Sequence, residues 1–444
     1  MSTANETAAC PLLPVVGGDL QVPLVDGSST RYVNLDYAAS APALTSVAAH
    51  VTEVLPLYAS VHRGAGYASQ VSTAAYEHAR QVVGDFVGAR QDDLVIFTRN
   101  TTDSLNLLAS VVPGETVVLD IEHHANLLPW VSDSARIVKA GDTVEDTLRR
   151  VDAELGSHRA ALLAVTGASN VTGETLPLRR LATIAHRHGT RLAVDAAQLV
   201  PHRRVGVAFD GVDYLAFSGH KTYAPFGAGV LVGRRDWLDR GEPYLRGGGA
   251  VSTVTLESAS WRTGPARHEG GSPNVVGVVA LAKAIGELSA LDPTAWADHE
   301  AALRDRLVTG LESVPEVRIH RLFADAEDTV GVVSFSVDGL DGHELATVLS
   351  AEWGIGVRDG RFCAHPLLER LGVDGPALRA SFGVGSTIDD VDALLTALRS
   401  VIADGPRWTY TVVDGQFVAE NDHRPRPDWA PELDPSLTSY GCAA

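Results

Sequence analysis

Short apolar segments that end in polar residues recur through Leu231, along about the first half of this 444-residue chain, and alternate with segments of helical spacing. This strand–helix–strand rhythm predicts a mostly parallel β-sheet covered by helices on both faces, which is an α/β fold. Ligands of such sheets bind beyond the carboxyl ends of the strands. The polar residues that follow predicted strands, and should face one crevice, are Thr101, His123, Asn170, Asp195 and Ser218–Lys221.

One of these strand ends carries a lysine between two apolar segments. The run Tyr214–Phe217 predicts a buried strand, and a second buried strand, Gly229–Val232, follows a turn rich in proline and glycine. These segments leave little solvated surface for Lys221, and a desolvated lysine has a lowered pKa. Its amine can then be neutral and nucleophilic, as Schiff-base chemistry requires. We therefore expect Lys221 to have a chemical role rather than to be an ordinary surface lysine.

A candidate anion site lies between the predicted strand Leu94–Thr98 and the predicted helix Leu105–Val111. Thr101 and Thr102 stand at this junction, where free N–H groups and the helix dipole favour phosphate. An ordinary helix cap would have a similar sequence. The adjacent pair His123-His124 has no further ligands at a suitable spacing, so we expect no metal site there.

Composition excludes several classes of partner. The formal charge of −19 argues against nucleic-acid or anionic-membrane binding, and the charged fraction of 20% is that of a globular protein. The N-terminal sequence lacks a basic region followed by an apolar one, so we expect no signal peptide. No apolar run approaches the ~18 residues that a membrane-spanning helix needs. The three cysteines, Cys10, Cys363 and Cys442, cannot form a disulfide framework, which favours a cytoplasmic location.

The chain divides into four predicted parts: a loosely ordered arm (1–30), a large domain (31–291), a smaller α+β domain (292–404) and an extension (405–444). The small domain contains a loop punctuated by glycine, Gly354–Pro366, that carries Cys363. In the extension, Asp-Gly between alternating apolar residues predicts a hairpin over Thr409–Ala419. Since a lone hairpin is marginally stable, we expect it to pack over the dimer seam or the mouth of the active site.

Two motifs, V-D-A-A-Q at Val194–Gln198 and S-G-H-K at Ser218–Lys221, resemble those of class V pyridoxal-phosphate enzymes of fold type I. Other motifs are similar to the cysteine desulfurase and selenocysteine lyase branch and follow its order from about Leu35 to Ala403. They are L-D-Y-A-A-S-A, V-H-R-G, T-R-N-T-T-D, E-H-H-A-N-L-L-P-W, S-N-V-T-G, G-G-S-P-N, R-D-G-R-F-C-A and L-R-A-S-F. The resemblance implies a large domain built on a seven-stranded sheet and a smaller C-terminal domain.

The resemblance also implies roles in binding pyridoxal 5′-phosphate (PLP). Lys221 would hold the cofactor covalently, Asp195 would pair with its ring nitrogen, Gln198 would bond its phenolate oxygen, and His123 would stack on the ring. The implied phosphate ligands are Thr101, Thr102, Ser218 and His220, with Ser272 supplied by the second subunit of a homodimer.

For the substrate, the resemblance implies that Asn170 and Arg379 bind the carboxylate and that Arg361 assists substrate binding and favours a Cys363 thiolate. Cys363 would take the sulfur of L-cysteine as a persulfide, L-alanine would be released, and a sulfur-acceptor protein is a candidate partner. Two features depart from the pattern. Arg361 and Phe362 replace two histidines, and F-G-V-G-S-T follows Ser381 without the expected aromatic-Asn-Thr.

These departures leave other reactions open. A PLP-dependent C–S lyase, epimerase or aminotransferase acting on another amino acid would keep the cofactor residues and change the chemistry. A non-catalytic sulfur carrier or scaffold would need neither Lys221 nor Asp195, so the presence of both favours an enzyme.

Overall fold

The structure is a computed structural model and describes residues 8–130 and 135–430. Its strands, in chain order, are β1 (Gln21–Pro23), β2 (Ser29–Arg31), β3 (Val33–Asn34), β4 (Asp93–Thr98), β5 (Thr116–Leu119), β6 (Ala135–Val138), β7 (Leu162–Thr166), β8 (Arg191–Asp195), β9 (Tyr214–Ser218), β10 (Gly229–Arg234), β11 (Val251–Val254), β12 (Ala259–Trp261), β13 (Val317–Ile319), β14 (Val332–Val337), β15 (Ile355–Gly356), β16 (Arg358–Gly360), β17 (Ala377–Ser381), β18 (Tyr410–Val413) and β19 (Gln416–Ala419).

The α-helices are α1 (Thr45–Val54), α2 (Tyr67–Phe86), α3 (Thr101–Ala109), α4 (His124–Leu127), α5 (Val144–Ser157), α6 (Leu178–Arg187), α7 (Val207–Asp210), α8 (Arg235–Arg240), α9 (Val275–Ala290), α10 (Pro293–Glu312), α11 (Gly342–Trp353), α12 (His365–Arg370) and α13 (Ile388–Asp404). Within the described ranges, no helix combines the length and the apolar character needed to cross a membrane.

The main sheet has seven strands in the order β4-β10-β9-β8-β7-β5-β6. Only β10 runs antiparallel to its neighbours among these strands, so the predicted mostly parallel sheet is confirmed. Alternate residues of each strand enter two separate cores: Leu215 and Phe217 pack on one face of β9, whereas Tyr214 and Ala216 pack on the other. Burial of both faces explains why these strands are continuously apolar.

The smaller C-terminal unit is built on the antiparallel sheet β13-β14-β17-β16 with α10, α11 and α13 packed around it. Its separate core contains Leu303, Phe335 and Leu394. The strand predicted at Ala380–Gly383 lies three residues earlier, at β17, because pairing with β14 sets its register and matches Ser334 with Arg379. This register places Arg379 at the boundary between the two units.

The expectation of a loosely ordered arm does not hold for residues 8–30. Strands β1 and β2 pair with each other, Leu13 N donates to Val384 O at 3.1 Å, and Val25 N donates to Ala351 O at 3.0 Å. Strands β11 and β12 form another short antiparallel hairpin. These strands are only three or four residues long, too short for a two-residue hydrophobic period to be recognised.

The hairpin predicted at Thr409–Ala419 is present as β18 and β19, with Asp414 and Gly415 at positive φ as a tight two-residue turn requires. It packs on α11. Its anchor is Glu352, whose buried carboxylate accepts hydrogen bonds from the backbone of Arg407 and Trp408 and from the hydroxyl of Tyr410, each at 3.0 Å. Cys442 and the other residues of the predicted extension from 431 onward lie outside the described residues.

Replacing Glu352 with glutamine should loosen this extension. Both carboxylate oxygens of Glu352 accept hydrogen bonds, and in glutamine one of these oxygens becomes an NH₂ group that faces other donors. We therefore expect the free energy of unfolding to fall by about 2 kcal/mol. Denaturant unfolding would measure the loss, and limited proteolysis should cut after Asp404 sooner than in the wild type. Glu312→Gln is the matched control, because that carboxylate is about half exposed. Equal protease resistance of all three proteins would contradict the anchoring role.

Candidate active site

A cavity of about 260 Å³ lies beyond the carboxyl ends of the parallel strands and is closed by β16 and β17 of the smaller unit. The predicted site residues that line it are Thr101, Thr102, His123, Asn170, Asp195, Gln198, Ser218, His220, Lys221, Cys363 and Arg379. Two predicted residues lie elsewhere. Arg361 lines a neighbouring cavity, and Ser272 is exposed on the loop before α9.

Lys221 lies in the turn that follows β9, with its backbone N–H bonded to Ser218 O at 3.3 Å. Burial lowers the pKa of Lys221 to about 8, although the carboxylate of Asp195 opposes this shift. A far larger fraction of the amine is therefore neutral near physiological pH than in an ordinary lysine, and this fraction can act as a nucleophile or a base.

Asp195 is the last residue of β8 and is 5% exposed. Its Oδ1 accepts a hydrogen bond from Ala197 N at 3.0 Å, and burial raises its pKa while the charge of Lys221 opposes the rise. A buried carboxylate with so few protein donors is set to pair with a positively charged or protonated ligand group.

His123 precedes α4, and its Nδ1 accepts a hydrogen bond from Ala125 N at 3.0 Å. Burial, reinforced by the charge of Lys221, lowers the pKa of His123 to about 3. The imidazole is consequently neutral with its proton on Nε2, because Nδ1 is an acceptor. The preceding residue, Glu122, is fully buried and accepts hydrogen bonds from Asn126 Nδ2 and Thr166 N at 2.7 and 3.0 Å, which fixes the backbone at His123.

The N-terminus of α3 faces the same cavity. Thr101 N and Thr101 Oγ1 lie 2.8 and 2.6 Å from Ser218 Oγ, so strand end and helix start are joined. Asn100 caps the helix by accepting a hydrogen bond from Asp103 N at 2.9 Å, which is why α3 begins before the predicted Leu105. A Cβ at Gly229 would lie 2.4 Å from Asn100 Cα, so glycine permits this close approach. Helix dipole and hydroxyls together suit an anion.

The guanidinium of Arg379 is 3% exposed and is held from two sides. Its Nη1 donates to Asn170 O and its Nη2 donates to Asp36 Oδ1, both at 3.0 Å, while the Phe362 ring centroid lies 5.2 Å from Cζ. Its Nε has no hydrogen-bond partner among the described residues. Arg379 lines the cavity, and each of its two terminal NH₂ groups keeps a second N–H that suits a ligand carboxylate.

The loop that carries Cys363 connects β16 to α12 and is tied to the large domain. Asn170 Nδ2 donates to Phe362 O at 2.8 Å, and His124 N donates to Cys363 O at 2.9 Å. Phe362 and Cys363 both adopt positive φ, of 52° and 54°. Backbone strain of this kind in non-glycine residues is concentrated at functional sites. The conformation of the loop places Cys363 in the lining of the cavity that contains Lys221.

Two residues of the site, Arg358 and Asp36, were not predicted from the sequence, although both lie within motifs of the resemblance. Arg358 lines the cavity, and Asp36 forms the ion pair with Arg379. Phe362 was identified only as a departure from a pattern, and it proves to be a buried wall of the cavity. A buried arginine needs a counter-charge, and that requirement was the one available signal for Asp36.

Comparison with known proteins places this geometry in a family. Residues 33–394 match the family model described as Aminotransferase class-V. The chain belongs to the aminotransferase class-V family. Its main sheet and covering helices fit fold type I, as predicted. The family match ends before the extension that contains β18 and β19.

Similar members of the class-V family are cysteine desulfurases. The chain is 36% identical over 379 residues to a probable cysteine desulfurase of Halobacterium salinarum, covering 82% of this chain and 90% of that one. It is 36% identical over 392 residues to a cysteine desulfurase of Klebsiella pneumoniae, covering 85% and 94%.

Solved structures agree with these relatives. A cysteine desulfurase from Thermococcus onnurineus NA1 matches with a TM-score of 0.77 and 32% identity, and one from Escherichia coli matches with 0.73 and 33%. In each case the match covers 84% of this chain and 95% of the other. The resemblance predicted from the motifs is therefore confirmed at the level of the family and its fold.

Proposed function

We propose that this chain is a PLP-dependent cysteine desulfurase that converts L-cysteine to L-alanine and leaves the sulfur on Cys363 as a persulfide. The observation that carries the proposal is that Lys221, Asp195, Arg379 and Cys363 line one cavity. Relatives that match most of the chain at 34–38% identity are cysteine desulfurases or probable cysteine desulfurases. A cofactor lysine, a carboxylate-binding arginine and a thiol are the groups that this reaction needs.

The residues of the cavity fit PLP. Gln198 is 3% exposed and donates to Ala38 O at 2.7 Å, but its Oε1 has no partner in the described ranges and its second N–H is available to a ring oxygen. Asp195 would pair with the ring nitrogen, and the flat neutral ring of His123 would stack on the cofactor. The phosphate would be held at the N-terminus of α3 by Thr101, Thr102, Ser218 and His220. When bound, PLP supplies an electron sink for negative charge at the substrate Cα.

Lys221 would hold the cofactor and move a proton at the substrate carbon. Its lowered pKa of about 8 supports both tasks, because the amine can exist in either protonation state at working pH. His220 stays neutral as well, since burial lowers its pKa to about 4. A neutral imidazole beside the phosphate cradle can donate a hydrogen bond without adding charge next to Lys221.

Arg379 would bind the substrate carboxylate and orient the sulfur toward Cys363. In the transfer step, the Cys363 thiolate attacks the substrate sulfur, a new S–S bond forms, and the Cβ–S bond breaks. The carbon keeps the electron pair of the broken bond and takes up a proton, so the products are alanine and a persulfide on Cys363. No external oxidant or reductant is required.

The experiment that tests the proposal is incubation of the PLP-loaded protein with L-cysteine, with alanine, pyruvate and sulfide measured together. Alanine formed in step with a Cys363 persulfide is expected. Pyruvate as the main product would identify a C–S lyase that works by β-elimination. Absence of both would favour a substrate other than cysteine, as an epimerase or aminotransferase would use.

Replacing Arg379 with lysine should weaken substrate binding. Lysine keeps the charge but loses the forked geometry that guanidinium offers a carboxylate, so KM for L-cysteine should rise about ten- to a hundredfold. Initial-rate kinetics of alanine formation would measure it. Arg318→Lys is the control, since Arg318 donates to Gly372 O on the far side of the same small sheet. An unchanged KM would remove Arg379 from the substrate site.

We further propose that the protein acts as a homodimer in the cytoplasm. The exposed free thiol of Cys10 suits a reducing compartment. Ser272 is exposed and does not line the cavity of its own chain, so a role in phosphate binding would place it at the site of a second copy. Nearby, the β11–β12 hairpin exposes Val254 by 63% and Leu256 completely, and apolar side chains this exposed indicate a contact surface.

Replacing Leu256 with aspartate should therefore weaken the dimer. Size-exclusion chromatography with light scattering should give a dimer mass for the wild type and a shift toward the monomer mass for Leu256→Asp. Ile137→Asp, at a half-exposed apolar position on the edge strand β6 of the main sheet, is the matched control and should remain dimeric. A monomeric wild type would refute the dimer and the proposed role of Ser272 together.

A further inference from the structure

A second cavity, of about 290 Å³, adjoins the active site and shares Arg358 and Phe362 with it. Cys363 follows Phe362 directly, so the two cavities meet at the residue before the proposed sulfur carrier. We call this space the side cavity. Its other polar lining residues include His343, Thr347, Arg361 and Gln416. Its volume is at the lower end for ligand sites, which suits a small molecule rather than a folded partner.

One wall of the side cavity belongs to the C-terminal extension. Gly415, Gln416 and Phe417 of the β18–β19 turn line it, and Thr347 Oγ1 donates to Phe417 O at 3.5 Å. The family match ends at residue 394, before this hairpin begins. The side cavity is therefore completed by a segment outside the matched family region, and Glu352 holds that segment in place.

The charges of the side cavity favour an anion. Asp359, its one carboxylate among the described lining residues, is already paired with His343 Nδ1. The guanidinium of Arg361 has no hydrogen-bond or ion-pair partner within the described part of the chain, and the residue is partly buried. Arg358 lines the same cavity, although its charge also acts on the carboxylate of Asp36. Guanidinium binds carboxylates in a forked geometry, so Arg361 beside a second positive charge suits a ligand with a carboxylate.

We propose that the side cavity binds a small thiol that carries a carboxylate and that this thiol removes the sulfur from Cys363. The inference rests on the proposed desulfurase function, because a persulfide must be discharged before the next turnover. The acceptor thiolate attacks the outer sulfur of the persulfide and a new S–S bond forms. The bond between that sulfur and Cys363 Sγ breaks, and its electron pair restores the Cys363 thiolate.

The test separates discharge of the persulfide from its formation. Protein is loaded with L-cysteine, freed of substrate by gel filtration, and treated with 3-mercaptopropionate or with 2-mercaptoethanol at equal thiolate concentration. Mass spectrometry follows the loss of one sulfur atom from the Cys363 peptide. For the wild type, the concentration that gives half-maximal discharge should be at least about tenfold lower for 3-mercaptopropionate than for 2-mercaptoethanol. A difference of this size is expected from one charge-assisted hydrogen bond.

Three variants make the result specific. Arg361→Gln should reduce the preference for the carboxylate thiol to about one, and Arg361→Lys should restore part of it. Arg149→Gln removes a charge from an exposed helix of the large domain and should keep the wild-type preference.

Each outcome has one consequence. Formation of the persulfide with equal discharge by both thiols would overturn the side-cavity inference and leave the desulfurase proposal standing. Discharge by an added acceptor protein alone would have the same consequence. Failure to form any persulfide on Cys363 would overturn the proposed function and the inference with it.

Discussion

Replacing Lys221 with alanine should abolish covalent retention of PLP and lower alanine formation from L-cysteine by at least about a thousandfold, because one side chain is proposed both to hold the cofactor and to transfer the proton. The measurement is mass spectrometry after borohydride reduction and denaturation, which reports the cofactor still attached to the chain. Lys283→Ala is the control, since Lys283 is partly exposed and pairs with Glu287 on α9. Cofactor retained covalently by Lys221→Ala would show that a different group binds it.

The same residue predicts a pH dependence. Burial lowers the pKa of Lys221 to about 8, so the neutral fraction of the amine increases as pH rises through that value. Uptake of PLP by cofactor-free protein should therefore accelerate between about pH 6 and pH 9 and then level off, since only the neutral amine attacks an aldehyde. Stopped-flow absorbance would record it. Lys221→Arg keeps a positive charge but cannot deprotonate, and it should show no covalent uptake at any pH.

The site residues that directly follow a strand could be recognised from the sequence as members of one site. Asp195, Ser218 and Lys221 each follow a strongly apolar run, and the physics of parallel sheets brings those ends to one edge. Their grouping in one cavity follows from local pattern and general topology. The same holds for the β18–β19 hairpin, whose Asp-Gly turn is a local signal.

Contacts between distant segments could not be predicted in this way. Asp36 and Arg379 are 343 residues apart in sequence and meet because β17 adds its Arg379 side chain to the boundary between the two units. Strands β1 and β2 have too few residues to show a period, and the segment around them is tied to the smaller unit by backbone bonds from Leu13 and Val25. The position of the extension likewise depends on Glu352, a single buried carboxylate that pattern alone assigns to an ordinary helix end.

The replacement of two histidines by Arg361 and Phe362 acquires a physical meaning only in three dimensions. Phe362 packs against the guanidinium of Arg379 and lines both the active site and the side cavity, whereas Arg361 lines the side cavity alone. An imidazole at position 362 could exchange protons there, but a phenyl ring cannot. The imidazoles that line the cavity within the described part of the chain are then His123 and His220, and burial lowers the pKa of both.

Replacing Cys363 with serine should remove persulfide formation and lower alanine production by at least about a hundredfold, because a neutral hydroxyl does not attack sulfur as a thiolate does. PLP absorbance and covalent retention should be unchanged, since Cys363 is not one of the residues proposed to bind the cofactor. Serine preserves volume, and the positive φ of the loop is no harder for it than for cysteine.

Cys10→Ser is the matched control, because Cys10 is an exposed free thiol outside both cavities and should leave alanine production at the wild-type rate. Loss of activity in both variants would indicate general thiol sensitivity rather than a defined sulfur carrier. Alanine formed by Cys363→Ser at the wild-type rate would exclude Cys363 as the nucleophile. Pyruvate formed at the expense of alanine would mean instead that the cofactor residues still activate cysteine, and that the thiol alone directs its sulfur toward transfer rather than elimination.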